Sequence, residues 1–201
     1  MSGAEVGRGD GSGETYWILR REQIECLASP RRQDLLDRLA AAGPQSVKEC
    51  ARAVGLKPSA AYRHLAALQD VGLIRVAGTR VVRRKQETLF ETVAPRMRMA
   101  AALGKPELQE PLSQVVAALC RQLDRDFKAG LGAPSAVPSG AGRNVGFYRH
   151  VAAPDAATLE EINAHLTRVA ELMWREPSPG RPLLGLGWVM APVGEAPVEE
   201  T

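Results

Sequence analysis

The chain has 201 residues, 45 % hydrophobic and 24 % charged, with a mean hydropathy of −0.18 and a formal net charge of +3. That leaves room for one large or two modest domains of ordinary globular composition, and it excludes fibrous, collagen-like and wholly disordered classes. No run approaches the roughly 18 apolar residues of a membrane span, the N-terminus lacks a signal-peptide pattern, and Cys26, Cys50 and Cys120 show no CxxC spacing. A cytoplasmic protein is expected, with no membrane contact, disulfide framework, metal site or cofactor.

Residues 1–15 are Gly, Ser and charge without periodicity, which reads as a disordered tail. Ile18, Ile24 and Leu27 mark a short helix starting near Trp17 and ending at Ser29-Pro30. Ser29 suits an N-cap and Pro30 a first helical position, so a second helix spans about 30–42 on Leu35, Leu36 and Leu39, until Gly43-Pro44 stops it. Ser46 with Glu49 forms a capping box that opens a third helix on Val47, Cys50, Ala51 and Val54, ending at Gly55. A fourth begins near Pro58, turns Ala61, Leu65 and Leu68 inward, and ends at Val71-Gly72.

Beyond Gly72 the pattern alternates: Leu73–Val76, a turn at Gly78, Val81-Val82, the basic run Arg83-Arg84-Lys85, then Thr88–Val93. This reads as a β-hairpin with a cationic tip. Residues 96–129 return to helix, interrupted around Gly104-Lys105-Pro106 and at Pro111. Their apolar stripe of Leu112, Val115, Val116, Leu119, Leu123 and Phe127 needs a partner, so 99–130 is read as a dimerisation helix. Gly, Pro, Ser and Ala dominate the linker at 131–144. An α+β module over 145–195 should follow: a strand at Val145–Val151, a helix opened by Asp155 or by Thr158 with Glu161, and a closing strand at Leu183–Val193. The inward face of that helix should carry Leu159, Ile162, Leu166, Val169 and Met173. The expected fold class is mainly α with small β.

Division of the charge sharpens the functional reading. Residues 16–99 hold 16 Lys and Arg against eight acids, net +8, whereas 1–15 stand at −2 and 100–201 at −3. Within the basic part, helix, tight turn, helix and hairpin follow the logic of a winged helix-turn-helix, in which the second helix enters a major groove. Its outward residues are Lys57, Ser59, Ala60, Tyr62, Arg63 and His64, and no acid lies among them. Arg63 can reach guanine O6 and N7 bidentately, while Lys57 stands where a phosphate would lie.

The stretch SVKECARAVGLKPSAAYRHLAALQDVGLIRVAGTR (46–80), preceded by LASPRRQDLLDRLAAAGP (27–44) and followed by RRKQETLFETVA (83–94), resembles the winged helix-turn-helix domain of ArsR-type bacterial transcriptional regulators. The likeness covers roughly 16–98. It implies a homodimer on double-stranded DNA with a pseudo-palindromic operator, each recognition helix entering one half-site and each wing touching flanking backbone or minor groove. It further implies that Ser59, Tyr62 and Arg63 face bases and that Arg80, Arg83, Arg84 and Lys85 lie on the wing. Metal-sensing members carry a Cys-x-Cys motif before the turn, where residues 46–54 hold only Cys50, so arsenite or zinc sensing is not expected.

The expectation is therefore a dimeric, sequence-specific DNA-binding regulator, more readily a repressor than an activator, and not an enzyme: no phosphate loop, nucleophile elbow or carboxylate pair is present. Two other readings stand beside it. One is a protein-interaction module docking through the winged helix. The other is a ligand-responsive sensor with a small-molecule effector held in the C-terminal module, where Phe147, Tyr148, Trp174 and Trp188 could line a pocket or simply fill a core.

Overall fold

The computed structural model describes residues 15–175 and 182–194, so the tail expected at 1–15 lies, but for Thr15, outside the described residues. The chain divides into two compact units at 124/125.

The first unit opens with a strand where a helix is expected. β1 (Thr15–Trp17) pairs in parallel with β5 (Arg96–Arg98), and helix starts only at α1 (Arg21–Leu27). The partner strand lies about eighty residues away, and local periodicity carries no trace of such a pairing. α2 (Pro30–Ala42) has the expected bounds, with Pro30 in its first turn, although the Ser29 side chain makes no cap bond.

α3 (Val47–Ala53) begins with the full capping box: the Ser46 hydroxyl accepts from the Glu49 amide, and a Glu49 carboxylate oxygen accepts the Ser46 amide at 2.9 Å. Ser46→Ala should cost about 1 kcal/mol in urea unfolding, the usual loss for an N-cap hydroxyl. α4 (Pro58–Asp70) follows after four residues. The turn between them is possible because Gly55 takes φ +65, which lets the Leu56 amide reach back to the Ala51 carbonyl at 2.8 Å. Gly72, at φ +70, closes α4 in the same way, with the Leu73 amide on the Leu68 carbonyl at 2.9 Å.

β3 (Ile74–Val82) and β4 (Lys85–Thr92) form the hairpin, and β2 (Gln45–Ser46) adds to the far side of β4, giving the order β2-β4-β3. Gly78 is not a turn as expected. It is a bulge, where the register skips between Val76 and Gly78, and pairing continues through Val81↔Gln86 to Val82↔Lys85. Val81 and Val82 thus lengthen the first strand and carry the connection out to Arg83-Arg84.

Two short 3₁₀ turns, Ala100–Ala102 and Pro106–Leu108, lead into α5 (Gln109–Leu131). Pro111 does not interrupt that helix: it sits in the first turn, where its missing amide would have had no helical partner. Leu108, Leu112, Val115 and Ala118 are buried, and the buried Gln33 side chain donates to the Leu27 and Val115 carbonyls at 2.7 and 3.0 Å, fixing α5 beside α2. The core of this unit gathers one face of each of α1 to α5, with Ile24, Leu35, Leu39, Leu65, Leu68 and Leu73 among its residues.

The second unit departs further from expectation. α6 (Ala156–Met173) is capped by Asp155, whose carboxylate accepts the Thr158 amide at 2.8 Å, so Asp155 rather than Thr158 opens it. Its intended inward face is not buried: Leu159 is 40 % exposed and Ile162 38 %. The strands expected at Val145–Val151 and Leu183–Val193 are not formed. Alternation alone does not make a strand, because each needs a ladder partner, and neither segment has one among the described residues. The α+β module is thus helical and irregular, and the division of the chain falls inside α5 rather than after it. The mainly α, small-β class holds through the sheets of the first unit.

Candidate nucleic-acid interface

α4 stands on its buried Ala61, Leu65 and Leu68, which turns the opposite side to solvent. Lys57 occupies its N-cap position, and Lys57, Ser59, Tyr62 and Arg63 are exposed, while Ala60 and His64 are half-buried. None of the four exposed side chains has a hydrogen-bond or ion-pair partner among the described residues. They form a donor-rich surface with no internal commitment. The first acid along the helix is Asp70, its last residue.

His64 lies at the edge of that surface. Burial pushes its pKa below the ordinary histidine value, and the positive fields of Arg32, Arg63 and Arg31 push the same way, so it is a neutral imidazole at pH 7. Arg31 and Arg32 are absent from the residues expected at the site. They come from the first turn of α2; Arg31 Nη1 donates to the Val54 carbonyl at 2.9 Å, tying that turn to the end of α3. Two arginines in a helix's first turn oppose its dipole, and no acid accompanies them there. That inversion was the available signal.

The wing tip has an unusual backbone. Val82 pairs with Lys85, which leaves Arg83 and Arg84 as a two-residue loop with φ +48 and +63. Both central residues of such a loop are left-handed, a place favoured by Asn-Gly. Two arginines there carry strain of about 1 kcal/mol each. Arg83, Arg84 and Lys85 are exposed, and their side chains have no partner among the described residues.

Arg80 differs from the other three wing cations. It bonds Glu49 of α3 at 2.9 Å and Glu87 of β4 at 3.3 Å, and Lys48 reaches Glu87 at 2.8 Å. These bonds hold the Glu87 carboxyl below its usual range; for Glu49 the Ser46 amide contributes most, with Arg80 adding to it. Arg80 therefore ties the wing to α3 rather than presenting a free charge.

The residues of the expected dimer stripe separate. Leu112 and Val115 lie in the core of the first unit; Val116 is exposed; Leu119, Leu123 and Phe127 are half-buried, with Phe127 meeting Phe147 edge to face at 5.9 Å. Cys50 is buried, and burial, followed by the nearby Glu49 charge, pushes its thiol up to about 11, which keeps it protonated at neutral pH. No helix among the described residues is long and apolar enough to cross a membrane.

Residues 27–77 match the family model described as a helix-turn-helix domain. Several solved structures are similar to parts of the chain. One is the homodimeric winged helix-turn-helix DNA-binding domain of Mb0332 from Mycobacterium bovis, described as a possible ArsR-family transcriptional regulator; at 22 % identity it covers 54 % of this chain and 81 % of its own, with a TM-score of 0.30. Another is RV1404 from Mycobacterium tuberculosis, at 17 % identity over 79 % and 85 % of the two chains and a TM-score of 0.29. A third is an apo double mutant of ZitR from Lactococcus lactis, at 15 % identity over 74 % and 84 %, with a TM-score of 0.27. TM-scores at this level do not establish a shared overall shape. No curated protein sequence matches. The family match coincides with α2, α3 and α4 as they stand in the structure, so residues 27–77 are a helix-turn-helix domain, and the β3–β4 hairpin that follows makes it a winged one.

Proposed function

We propose that this chain is a sequence-specific DNA-binding transcriptional regulator of the ArsR type, acting as a homodimeric repressor on a pseudo-palindromic site. The observation that carries the reading is the exposed, acid-free and uncommitted face of α4. In this reading the first two turns of α4 lie in the major groove, where Ser59, Tyr62 and Arg63 meet base edges. Lys57 and the Arg83-Arg84-Lys85 tip supply phosphate contacts, and Arg80 sets the angle at which the wing presents them. Repression needs only occupancy of a promoter, and this surface provides that without a further one.

Selection of bound duplexes from random sequence at two salt concentrations tests the reading. An enriched inverted repeat with half-sites about one helical turn apart is expected; salt-sensitive binding without enrichment would reduce the function to nonspecific association. The wing is tested separately by Arg83→Asn with Arg84→Gly. Relief of the left-handed strain should raise stability by about 1 kcal/mol or more. The same change should weaken every duplex alike and flatten the salt slope of the bound dimer by about four charges, two from each protomer. Thermal melting and salt-dependent titration read the two opposite signs.

A further inference from the structure

We propose that the C-terminal unit is one half of a two-chain domain, completed by the same unit of a second copy of this chain. The homodimer is taken from the proposed function; what is added is where the copies meet.

α6 runs 18 residues and buries none of them. A helix of that length draws its stability mainly from packing of an apolar face, and here that face is open. The segment 182–194 carries no charged side chain, and its Leu183, Leu186, Trp188, Val189, Met190 and Val193 are between 51 % and 65 % exposed. Phe147 and Tyr148 are 88 % and 85 % exposed. Taken together these side chains leave on the order of 1,000 Å² of apolar surface open per copy, given roughly 150–250 Å² for a whole aromatic side chain. Each partner of a standard interface contributes about 800 Å². The open area is of dimer size.

The backbone points the same way. Residues 145–154 and 182–194 make no backbone hydrogen bond among the described residues, although 145–151 alternates as a strand does and 183–193 is apolar but for its glycines. Unpaired amides beside apolar side chains are what an added strand satisfies. The lack of charge selects the partner. A symmetric interface sets like against like, so concentrated charge is penalised there; the +8 of residues 16–99 would repel its own copy, whereas 182–194 would not. A strongly acidic or basic partner would find no complementary group on 182–194.

The test uses the full chain. Sedimentation of the wild type should show a dimer, and Trp188→Glu with Met190→Glu should weaken it at least tenfold, while Trp188→Phe restores it. Binding of a duplex bearing a single half-site, which the first unit alone would contact, should be unchanged in all three. Hydrogen exchange is the second readout: amides in 182–194 should be protected in the dimer and lose protection on dilution to monomer. A double variant that dimerises as tightly as the wild type would overturn the proposal, as would unprotected amides in the dimer or a wild type that stays monomeric. If dimerisation breaks as expected but no duplex is discriminated, it is the DNA-binding reading that fails, and the interface stands.

Discussion

Leu65→Ala is expected to destabilise the first unit by about 2–5 kcal/mol, the cost of a cavity that a closely packed core cannot collapse. Leu65 is wholly buried on the inner face of α4, in one cluster with Cys50, Leu68 and Leu73. Domains of this size have only about 5–15 kcal/mol in total, so the loss should be plain in urea unfolding followed by circular dichroism. Tyr62, three residues earlier on the same helix, is 59 % exposed. Tyr62→Ala should stay within about 0.5 kcal/mol of the wild type. Comparable losses from the two variants would mean that α4 is rotated from the orientation on which the recognition face depends.

Arg63→Ala should leave stability untouched, because the side chain is exposed and without a partner among the described residues, yet it should remove discrimination at one base pair. The expected loss is about 1–3 kcal/mol, the worth of a bidentate guanidinium on guanine. Competition binding with all four base pairs at each position of the selected site measures it. Arg84→Ala should instead weaken all sequences together, since a phosphate contact carries no sequence information. An Arg63→Ala protein that kept both affinity and discrimination would remove α4 from the role of recognition helix.

The parts of the fold that were legible in the sequence are those whose signals are local. Pro30, the Ser46/Glu49 pair, Gly55 and Gly72 each mark a helix end within a few residues, and α2, α3 and α4 lie between them. The β1–β5 pairing was not legible: three residues bond to three others across the whole domain, and neither triplet alternates long enough to register. Charge at the wing tip was visible, but not that Arg83 and Arg84 are themselves the turn, since their types argue against left-handed backbone. Arg80 looked like one more wing cation until Glu49 and Glu87 were seen to hold it. In the second unit, alternation and apolar content read as strands, but strand formation depends on a neighbour that periodicity cannot supply.

Glu49 has a double attachment with a mechanical consequence. One carboxylate oxygen holds the Ser46 amide at the start of α3, and the other holds Arg80 of the wing at 2.9 Å. A single side chain therefore touches both the first turn of α3 and the wing, one oxygen for each. Any event that unseats the Glu49 carboxylate would therefore remove the capping bond of α3 and the tie to the wing together.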